Sequence, residues 1–159
     1  MTETPNVRLA RQISLAVPSL LLAGAYLGEF GFGLYPCEMC WWQRWPHFAA
    51  IALGLGASFI GPSRVWTGLA ALAILASGLI GLFHAGVEYG WWEGITGCAT
   101  TAGPGEDVLD SIMNAPIVRC DQAPWDLLGV SLAGWNFLIS AAAAGVILWL
   151  IGRKDTHAA

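Results

Sequence analysis

Tyr35-Pro-Cys-Glu-Met-Cys-Trp-Trp-Gln-Arg-Trp-Pro-His47 is the chemically densest stretch of the chain, pairing Cys37 with Cys40 as C-x-x-C and setting Arg44 one turn further on. Pro36 suits a first helical position, which would put both thiols at a helix N-terminus, where the dipole favours a thiolate. On a helix Cys40 and Arg44 share a face. A thiol at a helix start, faced by a guanidinium, predicts redox or nucleophilic chemistry. The same spacing also serves a structural disulfide or half of a zinc site.

Two further cysteines, Cys98 and Cys120, complete the set, and four cysteines allow three pairings. The C-x-x-C spacing favours Cys37 with Cys40, leaving Cys98 with Cys120. Two such disulfides facing one compartment suggest a thiol–disulfide relay, because exchange passes through mixed disulfides. Four thiolates could instead surround zinc, although Cys98 and Cys120 lack the close spacing of a zinc knuckle. A structural staple explains Cys98–Cys120 on spacing alone, but not the pair beside Arg44. Arg44 near hydrocarbon is costly and reads as functional; otherwise it snorkels or pairs with Glu38 or Glu29. His84 sits at a helix end, where an interfacial role competes with a functional one. Cys40 is followed by Trp41 rather than the histidine of C-x-x-C-H, which argues against haem.

Composition sets the elements that must position these side chains. Charged residues are 11% of the chain and hydrophobic ones 56%, against about a quarter charged in soluble domains. With a mean hydropathy of +0.59, the chain reads as a single integral membrane domain, residues 1–159. Spans are expected at about 13–34, 41–60, 65–89 and 131–152, each near the ~20 apolar residues a crossing needs. Pro46 predicts a kink or restart in the second, and Ser131 an N-cap for the fourth. Ala23-Gly24-Ala25 imitates a cleavage site, but the apolar run continues past it, which argues against cleavage. Four spans place the loops at about 35–40 and 90–130, and hence all four cysteines, on one side. Arg8, Arg11, Arg64, Arg153 and Lys154 fall on the other, with only Arg44 and Arg119 on the cysteine side. The positive-inside rule makes that side extracytoplasmic and oxidising. Trp41, Trp42, Trp45, Trp91, Trp92, Trp125 and Trp135 crowd the same face as an aromatic belt, with a cofactor contact the sharper alternative. Glu106 to Asn114 suits a short surface helix or an unstructured acidic loop. No Lys/Arg cluster suggests nucleic acid.

Pro36-Cys-Glu-Met-Cys-Trp-Trp-Gln-Arg44 resembles the signature of the disulfide bond formation protein B (DsbB) family, and Cys120-Asp-Gln-Ala-Pro-Trp-Asp-Leu-Leu-Gly129 resembles its second motif. The resemblance covers nearly the whole chain. It implies an all-α membrane protein, a four-transmembrane-helix bundle with two extracytoplasmic cysteine-bearing loops, in the bacterial inner membrane with both termini cytoplasmic. It implies an enzyme that reoxidises a periplasmic thioredoxin-fold oxidase resembling DsbA and passes electrons to membrane quinone, ubiquinone or menaquinone; the redox poise of that system is established. By resemblance Cys98 receives the partner's thiolate, Cys120 is its disulfide mate, Cys37 exchanges with the loop pair, and Cys40 meets the quinone. Arg44, His84 and Trp41 become candidate quinone contacts. Met39 stands where many members carry leucine, and the Cys98–Cys120 loop is shorter than in some, which bears on the order of exchange.

Two other classes compete. A vitamin K epoxide reductase-like enzyme also couples loop cysteines to C-x-x-C and quinone, but there the C-x-x-C follows the loop pair. A non-enzymatic membrane protein with structural disulfides or zinc would carry stoichiometric metal and reduce no quinone.

Overall fold

The computed structural model describes residues 4–96 and 118–153. Cys98, the Glu106–Asn114 segment and Lys154 lie outside the described residues. The described residues form four helices: α1 (Pro5–Phe32), α2 (Glu38–Phe59), α3 (Ser63–Glu88) and, after a short hairpin, α4 (Leu132–Gly152). α1 starts ahead of the apolar run because Pro5, with its fixed φ, opens the helix after Thr4. It stops at Gly33, whose φ of 69° is a left-handed conformation that glycine adopts without steric cost.

The second helix departs from expectation at both ends of its active stretch. Pro36 is not helical; Cys37 is the N-cap and the helix begins at Glu38. The physical reason is that the Cys37 sulfur accepts the Cys40 backbone N–H at 3.3 Å, taking the place of the usual cap oxygen. Nor does the helix restart at Pro46: α2 runs through it without a break. Buried packing against α1 and α3 outweighs the one hydrogen bond that proline removes.

Successive helices run in alternate directions. Arg11 Nη1 donates to Ser58 Oγ at 2.7 Å, joining the start of α1 to the end of α2. Tyr89, just after α3, accepts the Ser131 N–H at 2.8 Å and donates to the Gly129 carbonyl, tying that end to α4. The hairpin Asp126–Leu127 and Val130–Ser131 delivers Ser131, whose side chain caps α4 by accepting Gly134 N–H at 3.1 Å.

The packing is inverted relative to a soluble bundle. Its interior holds small residues, Ala10, Ala50, Ala71, Ala143 and Ala144, around Ile74 and Ile147. Buried among them are Ser14, Ser77 and Ser140. Large apolar side chains face outward, with Leu20 71% and Phe30 80% exposed. Small residues let helix backbones approach where lipid, not water, surrounds the bundle. α1, α3 and α4 are each long and apolar enough to cross a membrane. α2 is not among them, since Glu38, Gln43, Arg44 and His47 make its first half polar.

Gly86 is one close approach: a Cβ there would fall inside the Trp92 indole, which stacks on Phe83 and donates to the Phe83 carbonyl at 2.9 Å. Gly86→Ala should therefore displace Trp92 and lower stability by about 1–3 kcal/mol, the usual range for overpacking. Denaturant titration in detergent, followed by tryptophan fluorescence, measures it; unchanged stability and fluorescence would sink the assignment.

Candidate functional site

α2 begins, α3 ends and the segment after residue 117 returns at the same end of the bundle. Cys37, Met39 and Val87 are buried there, with Cys40, Phe83, Val118 and Cys120 packed against them. Cys37 and Cys40 are free thiols with sulfurs 3.1 Å apart. Cys37 Sγ, Cys120 Sγ and a ring nitrogen of His84 lie within 4.8 Å of one another. The structure thus brings together Cys37, Cys40, Cys120 and His84.

The two thiols of the C-x-x-C are not equivalent, contrary to the expectation that the helix start favours thiolate at both. The Cys37 thiol is pushed up to about 12, first because its S–H is held against the Cys40 sulfur and then because it is buried. Only one of two sulfurs in such contact can carry the charge, and Cys37 is the one that keeps its proton. Burial also pushes the Cys120 thiol up, while the Met39 backbone amide beside it favours its thiolate. Asp121, next along, is held below the usual carboxylate range by the exposed Arg119 guanidinium.

Arg44 does not face open solvent. It is 6% exposed, and its Nη1 donates to Glu29 Oε2 at 2.6 Å. The guanidinium lies over two rings, 4.7 Å from the Tyr26 centroid and 4.8 Å from that of Trp41. Glu29 was the pairing alternative, and Trp41 is the flat wall of the same arginine site. Stacking plus an ion pair can hold a guanidinium at the bilayer edge at tolerable desolvation cost.

His84, 2% exposed, reaches the Cys37 sulfur with Nε2 at 3.6 Å and Glu88 Oε1 at 3.7 Å. Its Nδ1 is 2.9 Å from Gln43 Nε2. Behind it runs a buried polar cluster of Gln43, His47, Ser77, Asn136 and Ser140. The sequence reading missed this cluster. Its signal was available as polar residues recurring at helical spacing inside apolar helices, Gln43 with His47 and Asn136 with Ser140.

Donor types suit two fillings of the site. Cys37, His84 and Cys120 match zinc chemistry by type. Cys40 is not one of those three donors, and its sulfur stands 3.1 Å from that of Cys37, the spacing of a dithiol ready to close. A cleft of about 260 Å³ opens over the sulfurs, with Leu34, Tyr35 and Val118 among its walls and Cys40 and His84 at its base. Glu88, Arg119 and Gln122 share the lining, so apolar and polar side chains both face the sulfurs.

The asymmetry has a direct test. In the reduced protein, Cys37 should alkylate slowly across the neutral range and speed up only toward its raised titration. Cys40→Ser removes the leading cause and should bring that profile down to lower pH. Mass-spectrometric alkylation rates against pH decide it; a Cys37 profile indifferent to Cys40→Ser would contradict the contact.

The chain is similar to known proteins along most of its length. The family model for disulfide bond formation protein DsbB matches residues 7–150. A disulfide bond formation protein B of Azoarcus sp. (strain BH72) is 33% identical over 92% of this chain and 96% of its own length. That of Verminephrobacter eiseniae (strain EF01-2) is 32% identical over 94% and 88%. A Rickettsia prowazekii relative carrying only the description uncharacterized protein RP370 is 24% identical over 80% and 78%. No solved structure matches significantly. The helices long enough to span a membrane, the gathered thiols and these matches lead to one conclusion: the chain belongs to the DsbB family of disulfide bond formation proteins.

Proposed function

We propose that the chain reoxidises a DsbA-like periplasmic thioredoxin-fold oxidase and passes the electrons to membrane quinone, ubiquinone or menaquinone, from a four-span position in the bacterial inner membrane. The observation that carries this reading is the gathering of three sulfurs at one end of the bundle, with Cys37 in reach of both Cys40 and Cys120. Four spans are supported by α2, which packs along α1 and α3 and ends in the apolar run to Phe59. Arg8, Arg11, Arg64 and Arg153 lie at the opposite end from the cysteines, which supports a cytoplasmic assignment for both termini and a periplasmic one for the cysteine loops.

The chemistry runs as balanced exchange. The partner's thiolate attacks Cys98 of a Cys98–Cys120 disulfide, forming the mixed bond and releasing Cys120 as thiolate. Cys120 attacks Cys37 of the Cys37–Cys40 disulfide; one S–S bond forms, one breaks, and Cys40 leaves with the electron pair. The partner's second thiolate closes its own disulfide and frees Cys98, which attacks Cys120, re-forming the loop disulfide and releasing Cys37 as thiolate beside Cys40. Quinone, when bound, takes up two electrons and two protons. Cys40 presents its thiolate to the cleft, and the Cys37 S–H supports that thiolate whenever Cys37 is reduced. Arg44, held by Glu29 and flanked by Trp41 and Tyr26, supplies fixed positive charge, and His84 borders the cleft.

The purified protein should reduce quinone when offered a reduced thioredoxin-fold dithiol; stoichiometric zinc with no quinone reduction would favour a structural protein instead. Arg44→Ala should raise the apparent KM for quinone more than for the protein partner, by roughly tenfold to a hundredfold for the loss of about 1.5–3 kcal/mol. Unchanged quinone kinetics in a folded variant would reduce Arg44 to an interfacial anchor. In Cys120→Ser, Cys98 can be oxidised only by exchange with the Cys37–Cys40 disulfide, and a partner lacking its own resolving cysteine should then displace Cys37 and stay trapped on Cys98, in a complex that dithiothreitol dissolves. Cys98→Ser should form none, and a complex through Cys37 or Cys40 in that variant would overturn the direction of electron flow.

A further inference from the structure

The buried polar cluster behind His84 has no part in the exchange steps, yet its hydrogen bonds admit only one orientation. Two backbone carbonyls, which can only accept, fix both amides. Gln43 Nε2 lies 3.2 Å from the Met39 carbonyl, and Asn136 Nδ2 lies 3.2 Å from the Ser77 carbonyl. Flipping either amide would set oxygen against oxygen. The remaining contacts follow. Asn136 Nδ2 donates to Gln43 Oε1 at 2.8 Å, and Gln43 Nε2 faces His84 Nδ1 at 2.9 Å. A second check comes from the far side. Ser77 Oγ donates to the Gln43 carbonyl at 2.7 Å, so toward His47 Nε2, at 2.9 Å, it is an acceptor. His47 then donates through Nε2, which agrees with Asn136 Oδ1 as its other neighbour at 2.9 Å.

His84 Nδ1 must therefore be the accepting nitrogen, because a proton there would point at the Gln43 amide N–H. The ring proton of neutral His84 sits on Nε2. Around Nε2 are acceptors, the Cys37 sulfur at 3.6 Å and Glu88 Oε1 at 3.7 Å. We propose that Gln43 and Asn136 are positioning residues that fix His84 as the Nε2–H tautomer, so that its imidazole donates to the Cys37 sulfur rather than taking a proton from it. Donors then point one way along the whole line: Asn136 to Gln43, Gln43 to His84, His84 to Cys37, Cys37 to Cys40. In a low-dielectric interior each bond polarises the next, and the line ends on the sulfur that leaves as thiolate. Gly81 keeps the space for it, since a Cβ there would lie 2.8 Å from the Ala133 carbonyl and 3.1 Å from both Asn136 Nδ2 and Gln43 Oε1. The same lock works against zinc at His84, because a metal would need the Nε2 lone pair.

The inference deepens the thiol–quinone reading and rests on Cys37 and Cys40 being its redox pair, but its test does not use turnover. The reduced full-length protein, labelled with ¹⁵N-histidine in detergent micelles, gives ring ¹⁵N–¹H spectra in which His84 is assigned by its loss in His84→Ala. The expected wild-type spectrum shows the lone-pair nitrogen at Nδ1 and the proton at Nε2. Gln43→Glu replaces the donor facing Nδ1 by an acceptor and should move a proton onto Nδ1. Asn136→Leu removes the donor to Gln43 Oε1 and leaves the Met39 carbonyl alone to orient the Gln43 amide, so a minor Nδ1–H tautomer should appear beside the Nε2–H form, which mere loss of packing would not produce. A wild-type ring carrying its proton on Nδ1 overturns the proposal without any variant, and so does an Asn136→Leu spectrum identical to wild type. Absence of quinone reduction in the wild-type protein would instead sink the redox reading, leaving the tautomer spectrum to stand on its own.

Discussion

The sulfur of Cys37 is the point on which the rest of the structure depends. It caps α2 by accepting the Cys40 N–H, touches the Cys40 sulfur, and receives His84 from α3. Two of these contacts come from Cys40 in the first turn of α2 and the third from α3, so the sulfur is placed only when α2 starts at Glu38 and α3 ends at Glu88 in register. A serine at this position would cap the helix as well or better. The choice of a cap that can also form a disulfide ties the start of the helix to the chemistry. The helix dipole does not act equally on both thiols because the Cys37 S–H is held against the Cys40 sulfur: Cys37 keeps its proton, and Cys40, inside the first turn, is the one free to carry charge.

Such a site needs an interior that tolerates polar groups, and the inverted packing supplies it. Alanine and glycine at the helix contacts let α3 approach α2 and α4 closely enough for amides and hydroxyls to meet across them. An unpaired amide in this setting would cost several kcal/mol, of order 2–7, so the cluster from Gln43 to Ser140 holds its orientation strictly. Arg44 follows the same logic with charge: Glu29 neutralises it and two aromatic faces cover it.

Much of this was legible in the residues. The C-x-x-C beside Arg44, the apolar runs, the Ser131 cap and the family resemblance all lie in local sequence. What local sequence could not supply was partnership across helices. Pro36 read as a helix start because proline favours that place, but the capping sulfur one residue later won. Pro46 read as a kink or a restart, and packing on both sides carried α2 through it without a restart. His84 read as an isolated helix-end histidine because its partners, Cys37 and Gln43, are distant in sequence and meet it only once α2 lies against α3. Cys120 beside Cys37 had the same obstacle: spacing speaks to pairs along the chain, not to a loop returning over a helix end.

That return has a consequence for the order of events on the proposed reading. Cys37 can form one disulfide at a time, and it stands within reach of two sulfurs, Cys40 on its own helix and Cys120 on the returning segment. While Cys37 is bonded to Cys120, Cys40 is left as the lone sulfur at the base of the cleft. While Cys37 is bonded to Cys40, the Cys120 sulfur is free to pair within its loop. The two bonds exclude each other, so the loop side and the membrane side are served alternately by one atom. Electrons can then cross from a water-exposed partner to a lipid-soluble acceptor without both being present at once, and the switch between the two is a displacement of a few ångströms at a sulfur already held in place.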